Sequence, residues 1–255
     1  MTTQLSPIQG IFRASLLGLS LFTAFPVQAE QPDPVALVAA ADKARFPQES
    51  FQVDIDIVSR SAGEPEGDTH RYRILSKGND DTVVLTMEPV SERGQILLMS
   101  GRNLWVFMPA VSQPVRLSLA QRLTGVVANG DLARANFRGD YDPSYVEQTE
   151  LDGEPAHVLD LKAVDGSVTY ARVKYWIRVS DNRPLKAEFY AVSGRLLKTC
   201  KYEEVKEMAG ALRPTRLVMH DALKEDNVSV LTYSEMNPRP LPDKLFTKEY
   251  LKKLN

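Results

Sequence analysis

The feature that most constrains the fold is a series of short runs in which apolar and polar residues alternate. The clearest run is FQVDIDIVS, at residues 51–59, where four apolar side chains alternate with polar neighbours. A period of two is typical of a strand with one buried face. Later runs are separated by turn-forming pairs such as Asp152-Gly153 and Ser193-Gly194. This pattern predicts short strands paired antiparallel in sequence order.

Roughly a dozen such runs and few helical patterns predict a mainly β domain, either a barrel or a strongly curved antiparallel sheet. A first helix is predicted over about Pro34–Ala44, with Asp33 as its N-cap. Its apolar side is expected to carry Val35, Val38 and Ala41, with Leu37 beside them. The last residues, PLPDKLFTKEYLKKL, predict a second short helix that docks on the sheet.

Residues 1–29 have the pattern of a cleaved secretory signal peptide. Arg13 supplies a positive charge, residues 14–25 are mostly apolar, and Val27-Gln28-Ala29 fits a cleavage site before Glu30. The apolar run is shorter than the roughly 18 residues that a membrane-spanning helix needs. We therefore expect an exported protein whose single domain covers residues 30–255.

Composition excludes several classes of partner. The net charge is -2, with acidic and basic residues interspersed, so no broad basic surface for nucleic acid or anionic membrane is expected. At 255 residues and 43% hydrophobic content the chain can bury a sizeable core. Its one cysteine, Cys200, rules out an internal disulfide.

The stretch from Asn103 to Gly125 predicts a strand that leads into a lid. Leu104 and Val106 lie on one face of that strand while Trp105 and Phe107 lie on the other. Prolines at positions 109 and 114 end the strand, because proline has no amide to donate to a sheet. The segment over about residues 109–141 is longer than most loops without structure, and such loops are often lids.

A search for catalytic motifs is negative. There is no Gly-x-Ser-x-Gly elbow, phosphate-binding glycine loop, His-Glu-x-x-His motif or cysteine pair for zinc. Asp54 and Asp56 are two residues apart on a strand, which is typical of a solvent-facing side. Cys200 and His70 fit core positions better than catalytic ones. We expect no enzyme activity, no metal and no cofactor.

Apolar residues occupy both faces of the strands between Val83 and Met108. A sheet packed on both sides would explain them. A cavity kept open for an apolar ligand would explain them too, since a barrel of this strand number has room for more than its own side chains.

Five segments follow one another along the mature chain: LVAAADKAR, FQVDIDI, LWVFMPAVSQPVRLSLAQRL, ANGDLARANFRGDY and PDKLFTKEYL. In this order they resemble the LolA-like family of outer-membrane lipoprotein-sorting proteins. The resemblance spans nearly the whole mature chain. It implies an incomplete β-barrel of roughly 11–12 strands, closed by a few short helices. It also implies a periplasmic location in a Gram-negative envelope, a lipid or acyl-chain ligand, an inner-membrane exporter, an outer-membrane acceptor and only transient membrane contact.

Lipoprotein carriers of this family are shorter and lack Asn129-Gly130-Asp131 as it stands here, which leaves free lipid or hopanoid-like cargo open. The residues expected to line the apolar cavity or its lid are Val53, Ile55, Ile57, Trp105, Phe107, Leu117, Leu119 and Phe137. Plain core packing of these residues is the alternative. An accessory module that adds a strand to an envelope export or assembly complex, without ligand, is the rival function.

Overall fold

The computed structural model describes residues 1–3, 31–78 and 80–252, without the side chains of Glu64 and Pro65. The apolar run and cleavage site of the predicted signal peptide lie outside the described residues. Residues 32–255 form one unit in which the contacts are concentrated.

Helix α1 (Pro34–Arg45) forms as the sequence predicts. The Asp33 carboxylate accepts a 2.9 Å hydrogen bond from the amide of Val35, and Pro34 occupies the first helical position. Leu37, Val38 and Ala41 are buried. The expectation for Val35 was wrong, because its side chain is exposed and the buried stripe continues instead through Asp42 and Arg45.

Strands account for most of the remaining described chain. They are β1 (Phe51–Ser61), β2 (Glu64–Lys77), β3 (Asp81–Glu88), β4 (Ile96–Ser100), β5 (Asn103–Phe107), β6 (Val115–Leu117), β7 (Arg122–Thr124), β8 (Val127–Ala128), β9 (Tyr141–Leu151), β10 (Glu154–Ala163), β11 (Arg172–Arg178), β12 (Pro184–Tyr190), β13 (Leu196–Met208), β14 (Ala211–Asp221) and β15 (Val228–Pro238). Two further helices are α2 (Asn129–Ala133) and α3 (Lys248–Leu251), and single 3-10 turns lie at Val90–Glu92 and Asp243–Phe246.

Thirteen of these strands form one antiparallel sheet in the order β6-β5-β4-β3-β2-β1-β15-β14-β13-β12-β11-β10-β9. Two sequential meanders therefore meet where β1 pairs with β15, with Ile55 opposite Tyr233. The sheet does not close on itself, so its two ends are β6 and β9. This confirms the predicted mainly β, incomplete-barrel architecture, with slightly more strands than the sequence indicates.

The order of the strands determines where the lid lies. Strands β6 and β9 are at opposite ends of the sheet, yet they are nearly consecutive along the chain. The chain between them must therefore run from one end of the sheet to the other. We call residues 109–141 the lid segment. It contains β6 at the sheet end, the β7-β8 hairpin and helix α2, so it is more regular than the sequence indicates.

One face of the sheet, here called the inner face, carries the main hydrophobic core. Alternate residues of β1 such as Val53, Ile55 and Ile57 are almost fully buried there. Each buried aliphatic side chain of this size contributes about 1.5–3 kcal/mol. Helix α1 and the lid segment pack against this face.

The outer face has a smaller core beneath the C-terminal segment. Phe107 of β5 is buried there with Phe246 and Leu251, and Trp105 packs at its margin. The ammonium of Lys248 lies 3.7 Å from the centre of the Trp105 ring. The predicted docking of the C-terminal helix is thus confirmed. The apolar surplus on this face of β3–β5 is explained by the segment that covers it.

Candidate functional site

The lid segment places apolar side chains on the inner face of the sheet. Leu119, Val127, Leu132 and Phe137 are all buried in the main core. Phe137 makes edge contacts with the rings of Tyr175 and Phe189, among others. The lid segment therefore covers apolar surface that would otherwise face water.

Arg45 connects helix α1 to the lid segment. Its Nη1 donates a 2.6 Å hydrogen bond to the carbonyl oxygen of Ala135. The guanidinium also lies 5.6 Å from the ring centre of Phe137 and 5.3 Å from that of Tyr202, within cation–π range. Only 6% of Arg45 is exposed. A permanent charge is thus held in the core by lid backbone and aromatic rings.

Asp42 is a second connection between helix α1 and the lid segment. Its carboxylate accepts hydrogen bonds from the amide of Phe137, at 3.0 and 3.1 Å, and from that of Arg138, at 2.8 Å. Burial raises the pKa of Asp42 to about 6, although Arg45 and the two lid amides lower it. The carboxyl group that accepts these hydrogen bonds from the lid therefore has a pKa of about 6.

A buried ion pair fixes helix α2 to strand β13. The Lys198 ammonium pairs with the Asp131 carboxylate and donates a 3.0 Å hydrogen bond to the carbonyl oxygen of Val126. The Tyr170 hydroxyl donates to the same carboxylate at 2.9 Å. Both charged side chains are more than nine-tenths buried. Such a pair is costly to break from one side, because the remaining charge stays buried.

The β7-β8 hairpin rests on the seam between β1 and β15. The hydroxyls of Ser59 and Ser229 are 2.8 Å apart, and the latter accepts a 2.9 Å hydrogen bond from the amide of Val126. Gly125 has φ +51°, and an added Cβ would overlap both serine hydroxyls. Only glycine fits this close approach of the lid to the sheet.

Two cavities of about 20 Å³ each lie beneath the lid segment, one lined by residues that include Val53 and Leu132, the other by residues that include Arg45 and Phe137. Each has room for about one water molecule. Neither cavity can hold a long apolar ligand while the lid segment stays in this position.

The structure brings six of the eight predicted site residues to the same face. Val53, Ile55, Ile57, Leu119 and Phe137 belong to the main core, and Leu117 packs against it from β6. Trp105 and Phe107 lie on the outer face with the C-terminal segment. Successive side chains of a strand point to opposite faces. On β5, Leu104 and Val106 therefore face the main core, whereas Trp105 and Phe107 face away from it.

The other candidate residues are buried, stacked or paired with neighbouring side chains. Cys200 is buried in the core, and burial raises the pKa of its thiol to about 12, which disfavours a thiolate nucleophile. His70 stacks on Tyr72 and lies 3.3 Å from the hydroxyl of Thr124. Asp54 and Asp56 form ion pairs with arginines of β2. In the described part of the chain, no group of three or more candidate ligands could hold a metal ion.

Sequence reasoning missed the polar contacts that hold the lid, made by Asp42, Arg45, Asp131 and Lys198. The sequence nevertheless carried a signal of buried charges on helix α1 and on strand β13. Asp42 and Arg45 fall on the buried stripe of α1, and Lys198 is in phase with the buried Cys200 on β13. Charged residues in phase with an apolar stripe indicate a buried pair or a functional group.

The class of protein is defined by an open antiparallel sheet. One face of that sheet is covered by a helix and by a lid segment that links the two ends of the sheet. A LolA superfamily protein from Nitrosomonas europaea has this fold, with a TM-score of 0.82 and 55% sequence identity over 86% of this chain and 100% of that chain. The chain therefore belongs to the LolA superfamily, as the sequence resemblance indicated.

Other comparisons agree on the fold. A domain named for outer membrane lipoprotein sorting, from Vibrio parahaemolyticus, has a TM-score of 0.74 at 20% identity, covering 86% of this chain and 98% of its own. A DUF1329 family protein from Desulfovibrio piger has the same TM-score at 21% identity, covering 86% and 100%. A family model described as "Uncharacterized protein" matches residues 78–253. No curated protein matches the chain.

One further observation concerns membranes. Among the described residues, no helix has the length and apolar character needed to span a bilayer.

Proposed function

We propose that this protein is a periplasmic carrier that binds a lipid or an acylated, lipoprotein-like ligand on the inner face of its sheet. The observation that carries the proposal is that a single lid segment, tied down by polar contacts at Asp42, Arg45, Lys198 and Ser229, covers an apolar face. In this proposal, residues 1–29 are a cleaved signal peptide and residues 30–255 form the LolA-like domain.

The energetics of a carrier favour this arrangement. Burial of each methylene is worth about 0.8 kcal/mol, so a chain of roughly 16 carbons exposed to water costs on the order of 12 kcal/mol. When the lid segment withdraws, its apolar side chains leave the inner face and an acyl chain can take their place. The lid can return when the ligand leaves, so that binding remains reversible.

The proposed ligand-contacting residues are those that the structure brings to the inner face. Val53, Ile55 and Ile57 would form the floor of the site. Leu117, Leu119 and Phe137 would belong to the moving cover. Trp105 and Phe107 are omitted, because the C-terminal segment covers them on the outer face.

The proposal includes no catalysis. A lipoprotein, a phospholipid or a hopanoid-like lipid would each supply the apolar chain that the inner face needs. A carrier of this kind would receive its cargo from an inner-membrane exporter and deliver it to an outer-membrane acceptor.

Lipid extraction and mass spectrometry of protein purified gently from the periplasm test the proposal. We expect a stoichiometric lipid or acylated molecule in the extract. We also expect purified, delipidated protein to bind a fluorescent fatty acid that unlabelled fatty acid displaces. An empty extract together with no displaceable binding would contradict the carrier function.

The filled interior gives a specific reason to keep a second candidate function. With only about 20 Å³ in each cavity under the lid, the protein could act as an interaction module without ligand. Strand β9, 11 residues long and at one end of the sheet, could then pair with a strand of an envelope export or assembly partner. The fatty-acid displacement experiment separates the two, since this module would show no displaceable binding.

A further inference from the structure

Four arginines from three parts of the chain line one open cleft at the C-terminal end of the lid segment. They are Arg102 from the β4-β5 turn, Arg116 from β6, and Arg134 and Arg138 from the lid after α2. We propose that this cleft binds a phosphate ester, the group found both in phospholipid headgroups and in small soluble phosphates.

Two of the guanidiniums are held in fixed positions by one buried carboxylate. Asp140 accepts a 3.0 Å hydrogen bond from Nε of Arg102 and a 2.8 Å hydrogen bond from Nη2 of Arg134. Arg102 also donates to the carbonyl oxygen of Gly139 at 2.9 Å, and Arg134 to that of Gly101 at 3.0 Å. The two side chains are therefore ordered before any ligand arrives, which reduces the entropy lost on binding.

The cleft is lined by four arginines and one aspartate, Asp80, so its lining carries more positive than negative charge. Asp80 and Asp165 also pair with these arginines, but the exposed fractions of their side chains are 78% and 51%. Pairs with such exposed carboxylates contribute little, because water screens them. Arg116, which also donates to the side-chain oxygen of Asn103, and Arg138 are exposed, so a ligand in the cleft can reach both guanidiniums.

The size and chemistry of the cleft fit a phosphate ester. Its volume is about 770 Å³, which is within the usual range for small-molecule sites. Guanidinium groups donate two parallel hydrogen bonds to phosphate oxygens, and arginine is the preferred residue for this geometry. Arginines on both the sheet turns and the lid could share one phosphate between them.

The position of the cleft gives phosphate binding a structural consequence. Arg102 belongs to the sheet, whereas Arg134 and Arg138 belong to the lid segment. A phosphate bound between them would join lid to sheet at one end. The inference does not rest on the proposed carrier function, because a soluble phosphate ester has no acyl chain.

The test uses the full mature chain and three probes. Inorganic phosphate and glycerol 3-phosphate are titrated by calorimetry at physiological ionic strength. Phosphatidylcholine vesicles with and without phosphatidylglycerol are tested by co-flotation. The variant is Arg116→Glu/Arg138→Glu, and Arg116→Gln/Arg138→Gln is a milder form that removes charge without reversing it.

A matched control makes the same change in net charge at positions outside the cleft. Arg60→Glu/Arg195→Glu replaces two exposed arginines that do not line it. Urea unfolding of all variants establishes that each is folded.

Whichever probe the unaltered protein binds, we expect the cleft variants to bind it about tenfold or more weakly than the control variant does, because they lose charge-assisted hydrogen bonds to the phosphate. Binding of soluble phosphates identifies a free phosphate ester as sufficient, and binding of only phosphatidylglycerol vesicles identifies the lipid headgroup as the source. Absence of binding to all three probes, or equal weakening in the cleft and control variants, would overturn the proposal.

Discussion

Nη1 of Arg45 lies 2.6 Å from the carbonyl oxygen of Ala135, so a charged hydrogen bond ties helix α1 to the lid segment inside the core. The same guanidinium lies over the ring of Phe137. In this region the lid covers the inner face that we propose as the ligand site. The strength of this contact therefore sets part of the cost of lid opening.

Replacement of Arg45 by methionine should increase the apparent affinity for a fluorescent fatty acid. Methionine keeps an apolar stem but loses the charged hydrogen bond, worth about 1.5–3 kcal/mol. A larger open fraction raises the apparent affinity in proportion, by about tenfold. The measurement is a fluorescence titration of wild type and Arg45→Met.

Arg178→Met is the matched control for that titration. Arg178 pairs with Asp181 and Glu154 and makes no contact with the lid segment in these pairs. Equal affinities for the Arg45 and Arg178 variants would show that the Arg45–Ala135 contact does not restrain the lid.

Asp42 should make stability depend on pH in a direction opposite to that of an ordinary paired carboxylate. Burial raises its pKa from 3.8 to about 6 in the folded protein. The folded state therefore binds this proton more tightly than the unfolded chain. The resulting stabilisation is fully present below pH 3.8 and is lost as the pH rises through about 6.

Urea unfolding of wild type and Asp42→Asn across this range measures the effect. The free energy of unfolding of wild type minus that of the variant should fall by on the order of 3 kcal/mol between the acidic and neutral ends. Asp165→Asn is the control for sign, because hydrogen bonds from Ser167 lower the pKa of Asp165 and its contribution is lost as the pH falls. A pH-independent difference for Asp42 would refute the assignment.

The Lys198–Asp131 pair should show strong coupling in a double-mutant cycle. Lys198→Met alone leaves the Asp131 carboxylate buried with only Tyr170 and an amide as partners, which costs about 3–5 kcal/mol. Asp131→Asn alone leaves a buried ammonium. The double variant removes both charges, so it should be more stable than the sum of the single losses predicts.

Denaturant unfolding of the four proteins gives the coupling energy, which we expect at about 2 kcal/mol or more. Purely additive losses would mean that this pair does not hold helix α2 to β13.

Gly125→Ala should destabilise the closed lid more than an alanine at a comparable turn. Both Gly125, with φ +51°, and Gly153, with φ +84°, have backbone conformations that favour glycine. An added Cβ at Gly125 would overlap the hydroxyls of Ser59 and Ser229, whereas at Gly153 it would meet nothing within 4 Å. The extra loss at Gly125 should be about 1–3 kcal/mol.

Thermal or urea unfolding of the two alanine variants isolates that steric effect, since the backbone penalty is common to both. Similar losses for Gly125→Ala and Gly153→Ala would indicate that the hairpin can move away from the β1-β15 seam at little cost.

Local patterns were sufficient to predict most of the fold. The alternation in β1 identified a strand and its buried face, and Asp33-Pro34 identified the start of α1. These features depend on residues close together in sequence, where period and capping chemistry are decisive.

The site was harder to predict because its contacts are long-range. Lys198 and Asp131 are separated by 67 positions, and no periodicity reveals that they pair. Trp105 was expected in the apolar cavity or its lid, but sequence could not show that the C-terminal segment covers it. Assignment of a strand face to cavity or outer core requires the tertiary contacts.

Hydrogen–deuterium exchange of the lid amides, with and without saturating palmitic acid, tests lid displacement most directly. If the acyl chain replaces the lid on the inner face, exchange should accelerate over residues 122–137, whose amides include those bonded to Ser229 and Asp42. Amides of β1 and β14 should remain protected. Unchanged exchange in the lid segment at saturating fatty acid would contradict a lipid site beneath it.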